Sequence, residues 1–332
     1  MASPETTSRA DLAQVERAIR EVLLGADEMV LTYLEQVAQG IGKRLRPQML
    51  ITFADLFGNS KPDSVVNCAA CSELLHTASL IHDDVIDTAE SRRGLPTING
   101  RHGNEIAVIV GDYLLALVFQ RLIAMQDIKL LKLVVTASQH LGIGIIEEVR
   151  NRNNLALSEE DYTNIIRLKT GALFALVCEM GAYLGGANEE QQAGSREYGH
   201  FFGLAFQVLD DLLDFTLTDA EAGKPTFSDL REGRITLPLI YARNTDEART
   251  RTLVELFQRE PTPSNAENIR HWFAECGSLL HSLTAAEELL ERGRSEVKKM
   301  EKSFAHPELA SRLKTLEEQA FARVPAWVRK NA

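Results

Sequence analysis

Two groups of three aspartates carry the plainest chemical signal in this sequence. Asp83, Asp84 and Asp87 form one D-D-x-x-D cluster, and Asp210, Asp211 and Asp214 form another; both are set in apolar runs. On a helix, positions four apart share a face, so Asp83 and Asp87 converge while Asp84 sits about 100° round. Carboxylates gathered among apolar residues repel one another and are costly to desolvate unless cations offset them. Hard oxygen donors in ones and twos suit Mg²⁺, which completes its octahedron with water and phosphate oxygens. The pattern therefore points to magnesium and a phosphorylated substrate, against the plainer reading of two solvated acidic helix ends.

Basic residues supply the other half of a phosphate site. Lys43, Arg44 and Arg46 lie where a loop turns into a helix, Arg92 and Arg93 follow the first cluster, and Lys169, Thr170, Lys224 and Arg234 punctuate the second half. Arginine grips phosphate oxygens in pairs and lysine acts as a point charge. The net charge of -11 argues against a general nucleic-acid binder, so the basic groups act locally.

The elements that must position these residues are helices. Apolar residues recur at three- and four-residue spacing in DLAQVERAIREVLL, EMVLTYLEQVAQ, the run from Ser64 to Val85, and EIAVIVGDYLLALVFQRLIA. Convincing strand alternation is absent, and Ser158 to Asp161 reads as a capping box. A 332-residue chain with 45% hydrophobic residues can bury a large core as one all-α domain spanning 1–332, with a more variable helical region from about residue 249. The four cysteines include a C-x-x-C at Cys68 and Cys71, which reads as helix interior rather than a metal or redox pair. With no N-terminal leader pattern, a cytoplasmic location is expected. The most apolar stretches, such as Leu133 to Ile146, are too short or too often broken by polar residues to span a bilayer, although peripheral membrane contact during product release fits a greasy product.

The blocks GKRLRP, ELLHTASLIHDDVIDTAESRRGLPTIN, GDYLL, LKTGALF, GLAFQVLDDLLDF and GKPTFSDLREGRITLPLIYA resemble, in order, those of the trans-isoprenyl diphosphate synthase family, and the resemblance covers nearly the whole chain. It implies the all-α isoprenoid synthase bundle, a homodimer, and two aspartate clusters facing each other across a deep cavity. Long-chain members such as octaprenyl or heptaprenyl diphosphate synthase are the nearest type.

Carried over by position, Lys43, Arg46, His76 and Arg93 resemble the isopentenyl diphosphate grip. Arg92, Lys169, Thr170, Gln207, Lys224 and Arg234 resemble the partners of the allylic diphosphate. Asp83, Asp87 and Asp210 stand as the main magnesium ligands, with Asp84, Asp211 and Asp214 in support, and the family implies three Mg²⁺ ions per active site. Ionisation of the allylic C–O bond, attack by isopentenyl diphosphate and proton loss to the released diphosphate make up the implied reaction.

Short-chain relatives carry an aromatic four or five residues before the first cluster, where this chain has Ala78 and Ser79. A growing chain then passes Ser79 toward Phe119 or Leu122, which favours a long polyprenyl product over farnesyl or geranylgeranyl diphosphate. A short-chain synthase and a non-catalytic subunit of a heteromeric synthase are the alternatives.

Three positions depart from the family pattern: Glu148 stands where glutamine is usual, Ile145 where glutamate is usual, and Arg234 where lysine is common. Two rival readings fit the motifs less well. A class I terpene cyclase would lack the second D-D-x-x-D. A di-iron carboxylate bundle would use the E-x-x-H matches at Glu73 with His76 and Glu197 with His200, and would leave both aspartate clusters unused.

Overall fold

A computed structural model describes residues 4–39, 44–58, 61–92, 94–222 and 225–330. Lys43, Arg93 and Lys224, all expected at the diphosphate sites, lie outside the described residues.

The chain is built from helices α1 (Pro4–Leu24), α2 (Glu28–Gln39), α3 (Leu45–Phe57), α4 (Pro62–Ile86), α5 (Ile98–His102) and α6 (Asn104–Ala124). There follow α7 (Ile128–Arg150), α8 (Glu159–Ile166), a π-helical turn at Arg167–Gly171, α9 (Ala172–Gly185) and α10 (Glu189–Thr216). The last part holds α11 (Asp219–Ala222), α12 (Ser228–Arg231), α13 (Leu237–Thr245), α14 (Glu247–Arg259), α15 (Pro263–Glu275), α16 (Ser278–Met300), α17 (Ser311–Phe321) and α18 (Ala326–Lys330). One antiparallel pair of two-residue strands, β1 (Ser91–Arg92) and β2 (Leu95–Pro96), interrupts the helices just after the first aspartate cluster.

The residues fall into two compact units. The first comprises 1–138, 173–199 and 296–314; the second comprises 139–172, 200–295 and 315–332.

In the first unit α4 packs most extensively on α6, and also on α1 and α3. Small residues set those distances. A Cβ at Gly111 of α6 would fall 2.2 Å from His82 Nε2, so the glycine is the seat for the ring that precedes Asp83. Gly181 and Gly185, one turn apart on α9, admit the backbone of α3: a Cβ at either would meet Leu50 O at 2.3 Å or Ala54 O at 2.6 Å. Cys68 and Cys71 are buried inside α4, and loss of solvation pushes the Cys71 thiol up to about 12. The C-x-x-C is thus core packing.

The second unit centres on an aromatic cluster in which Phe215 meets Phe227 and Phe273 edge-on at 5.1 Å. Ser158 caps α8, its hydroxyl accepting from Asp161 N at 3.0 Å, as the sequence pattern predicts.

Both α6 and α7 are long and apolar enough to cross a membrane by length and composition, unlike the expectation for the Leu133 to Ile146 run. One face of α6 is used inside the first unit, where Ala107, Val110, Leu114, Val118 and Leu122 are buried. Outside that face α6 exposes Ile109 and Ile123, and α7 exposes Ile128, Ile143 and Ile146.

Candidate active site

In the first unit the aspartate cluster closes α4. Asp83 and Asp87 are half-buried, and Asp84 is buried. Burial raises the Asp84 carboxyl above its ordinary range, opposed by the Arg92 guanidinium, whose Nε donates to Asp84 Oδ1 at 2.8 Å. Arg92, expected beside the allylic diphosphate, is therefore placed by the β-hairpin onto the middle aspartate. The last turn of α4 holds no basic residue, so three carboxylates lie at the negative end of the helix dipole.

Arg46 and His76 lie in this unit, on α3 and α4. The Arg46 guanidinium lies over the Phe174 ring, 4.5 Å from its centroid, and its Nε is buried without a hydrogen-bond partner. Burial lowers its pKa to about 10, with Glu73 pulling the other way. A cation so placed favours an incoming anion. Neighbouring Arg44 is spent on structure, donating to Glu16 at 2.6 Å and to Glu73 at 2.7 Å. Glu73, one carboxylate of the di-iron reading, is thus already paired with Arg44.

Of the chain-length positions, Ala78 is wholly buried. Ser79 and Phe119 are half-buried, and the Ser79 hydroxyl donates to His76 O at 2.7 Å.

The second unit contains the other cluster, at the end of α10, again with no basic residue in the last turn. Its three aspartates are in different situations. Asp210 is 41% exposed, with Arg323 Nη1 3.5 Å from its Oδ1. Asp211 is buried and accepts from the Tyr162 hydroxyl at 2.6 Å and from Gln207 Nε2 at 2.8 Å. Burial pushes its carboxyl up to about 7, against the pull of those two donors. Asp214 accepts from Ser228 Oγ at 2.9 Å and from Asp229 N at 3.0 Å, while its own carbonyl accepts from Phe227 N at 3.0 Å. Phe227 is a buried residue at φ 58°, so Asp214 holds a turn whose backbone is unfavourable for a non-glycine residue. These bonds tie Asp214, expected in support of the magnesium ligands, to the turn at Phe227–Asp229.

The π-helical turn presents Lys169 and Thr170. Thr170 Oγ1 donates to Gln207 Oε1 at 2.7 Å, which continues the chain of bonds to Asp211. Lys169 Nζ donates to Glu148 Oε1 at 2.6 Å. Arg234 lies among three carboxylates: Glu148 at 3.6 Å, Asp229 at 3.2 Å and Glu232 at 2.5 Å. Expected as an allylic diphosphate partner, it is engaged with carboxylates here. Sequence reasoning missed Tyr162, although its place seven residues before Lys169 put it on a helix leading to that turn.

The donor set fits magnesium. In the first unit Asp83 and Asp87, and in the second Asp210, keep exposure and offer hard oxygens, and each cluster adds its charge to the negative end of a helix whose last turn holds no basic residue. Mg²⁺ needs no all-protein cage, so the lack of a three-ligand group among the described residues is consistent with it.

Comparison with known proteins identifies the family. Residues 27–275 match the Polyprenyl synthetase family. The chain is similar to the octaprenyl diphosphate synthase of Escherichia coli, 35% identical over 232 residues, covering 70% of this chain and 72% of that one. It is also similar to heptaprenyl diphosphate synthase component 2 of Bacillus subtilis, 29% identical over 311 residues, covering 94% and 88%. Among solved structures, a decaprenyl diphosphate synthase from Rhodobacter capsulatus superposes with a TM-score of 0.87 at 33% identity, covering 96% and 98%. A polyprenyl synthase from Caulobacter crescentus, complexed with calcium and isoprenyl diphosphate, gives 0.87 at 31% identity, covering 95% of each chain. The all-α isoprenoid synthase fold expected from the motifs is thereby established, and the chain belongs to the polyprenyl synthetase family, as a prenyltransferase that makes polyprenyl diphosphates.

Proposed function

We propose that this enzyme condenses isopentenyl diphosphate with an allylic diphosphate in trans, using Mg²⁺, to give a long-chain polyprenyl diphosphate. The observation that carries the magnesium reading is that both aspartate clusters end helices whose last turns lack any basic residue. Calcium and isoprenyl diphosphate in the Caulobacter relative support it. Bound magnesium would supply Lewis-acid stabilisation of the departing diphosphate.

Asp83, Asp87 and Asp210 are the proposed ligands, three ions per active site following the family pattern. Asp84 is held by Arg92, and Asp211 by Tyr162 and Gln207, so both support the ligand-bearing helix ends. Lys169 donates to the allylic diphosphate, and Thr170 and Gln207 align beside it. Arg46, with an unpartnered buried Nε, is the best-supported member of the isopentenyl diphosphate grip. His76, Lys43, Arg93 and Lys224 are assigned by motif.

The long product rests on Ala78 and Ser79, which put small residues five and four positions before Asp83, where short-chain relatives carry an aromatic. Octaprenyl and nonaprenyl synthases among the relatives agree with it. The exposed isoleucines of α6 and α7 support a homodimer, which light scattering would report as twice the 36.9 kDa chain mass. All four cysteines are free thiols, in keeping with a reducing compartment such as the cytoplasm. The experiment is incubation of the purified chain with MgCl₂, isopentenyl diphosphate and an allylic primer, with the product resolved by mass. A polyprenyl diphosphate of seven or more units is expected. A product of four units or fewer would overturn the long-chain assignment.

A further inference from the structure

Two positions that depart from the family pattern, Glu148 and Arg234, meet in the second unit. The approach begins at Gly144 of α7, where a Cβ would lie 2.6 Å from Lys169 N, so the helix runs tight against the π-helical turn. Four residues on, and so on the same face, stands Glu148. Its Oε1 accepts from Lys169 Nζ at 2.6 Å and lies 3.6 Å from Arg234 Nε. Both Glu148 and Lys169 have side chains only 18% exposed, so neither is a loose surface charge. Arg234 is held on its other edges by Asp229 and Glu232.

A carboxylate oxygen 2.6 Å from an ammonium occupies the place where a phosphate oxygen would accept the same hydrogen bond. Local charge points the same way. Lys169 and Arg234 contribute two positive charges, while Glu148, Asp229 and Glu232 contribute three negative ones, leaving the cluster at a formal -1. Glutamine in place of Glu148 would keep the hydrogen bond to Lys169 and bring the sum to zero.

We propose that Glu148 is an internal counter-anion: its carboxylate, steadied by Arg234, sits on Lys169 in place of a diphosphate oxygen and must yield for a diphosphate to bind. The inference rests on the proposed assignment of Lys169 to the allylic diphosphate. Its consequence is weaker diphosphate binding and faster diphosphate release than an uncharged residue at this position would give.

The test uses the full chain and its Glu148→Gln variant. Binding of inorganic pyrophosphate with MgCl₂ is measured by titration calorimetry, and KM and kcat for the allylic substrate are measured separately. Glu148→Gln is expected to bind pyrophosphate about fivefold more tightly, the scale of a partly exposed ion pair. KM should fall in step, without a rise in kcat. Unchanged or weaker pyrophosphate binding would overturn the proposal; a residue that merely braces Lys169 gives that result, with a raised KM. If Glu148→Gln does not fold, Glu148→Asp, which draws the carboxylate back by one methylene, should tighten binding by a smaller factor, and no tightening there is equally fatal. Wild-type protein with no prenyl transfer in any condition would instead contradict the proposed function, whatever the variants show for pyrophosphate.

Discussion

Replacing Tyr162 by Phe isolates one bond at the second aspartate cluster. The ring is buried in α8, and only its hydroxyl, 2.6 Å from Asp211 Oδ2, is removed. Packing is preserved, but the buried Asp211 keeps Gln207 Nε2 as the donor at its other oxygen and loses the shorter bond. A hydrogen bond to a charged group contributes about 1.5–3 kcal/mol, and leaving a buried carboxylate oxygen unmatched lies in the same range. Burial holds Asp211 at about 7, so the bond has its full strength only where the carboxylate is ionised. At pH 8 in metal-free buffer, Tyr162→Phe should therefore lose about 2 kcal/mol, read from urea unfolding as a lower midpoint at unchanged slope. In an Asp211→Asn background the same substitution should cost about 1 kcal/mol less, because the charge that strengthens the bond has gone. Equal losses in both backgrounds, or none in either, would refute the bond as the link between α8 and the cluster.

Other consequences can be checked separately. Gly181→Ala puts a Cβ 2.3 Å from Leu50 O and 2.9 Å from Phe53 Cβ, so α3 must shift; a loss of about 1–3 kcal/mol is expected in the same urea assay, despite alanine's better helix propensity. Ser79→Phe should shorten the product on a mass profile, since Ser79 is half-buried where Ala78 is fully enclosed and has no room for a ring. An unchanged product length would remove Ser79 from the path of the growing chain.

The two aspartate clusters and their helices were legible because periodicity and D-D-x-x-D spacing are local signals, and Ser158 announced the start of α8 in the same way. The division of labour within each cluster was not. Asp211 and Asp214 are equivalent in the motif, yet one is bound by Tyr162 and the other by Ser228 and the Asp229 amide, partners brought by chain reversals that leave no spacing in the sequence. The π-helical turn at Arg167–Gly171 was equally hidden, since one widened turn leaves the apolar pattern of its neighbours intact. The β-hairpin after the first cluster has strands of two residues, too short to show alternation. Glu148 and Arg234 were visible as departures from the family pattern, but only the folded chain shows that they touch.

Magnesium-dependent prenyl transfer is tested most directly by turnover of the purified chain alone, with MgCl₂, isopentenyl diphosphate and a series of allylic primers, compared with Asp83→Asn and Asp210→Asn variants of confirmed fold. Magnesium-dependent formation of a long polyprenyl diphosphate by the wild-type chain is expected, with a loss of about a hundredfold or more in kcat in each variant, as for removal of other groups that stabilise charge in the transition state. Wild-type turnover that persists in EDTA, or undiminished turnover by both variants, would refute a magnesium site at the two aspartate clusters.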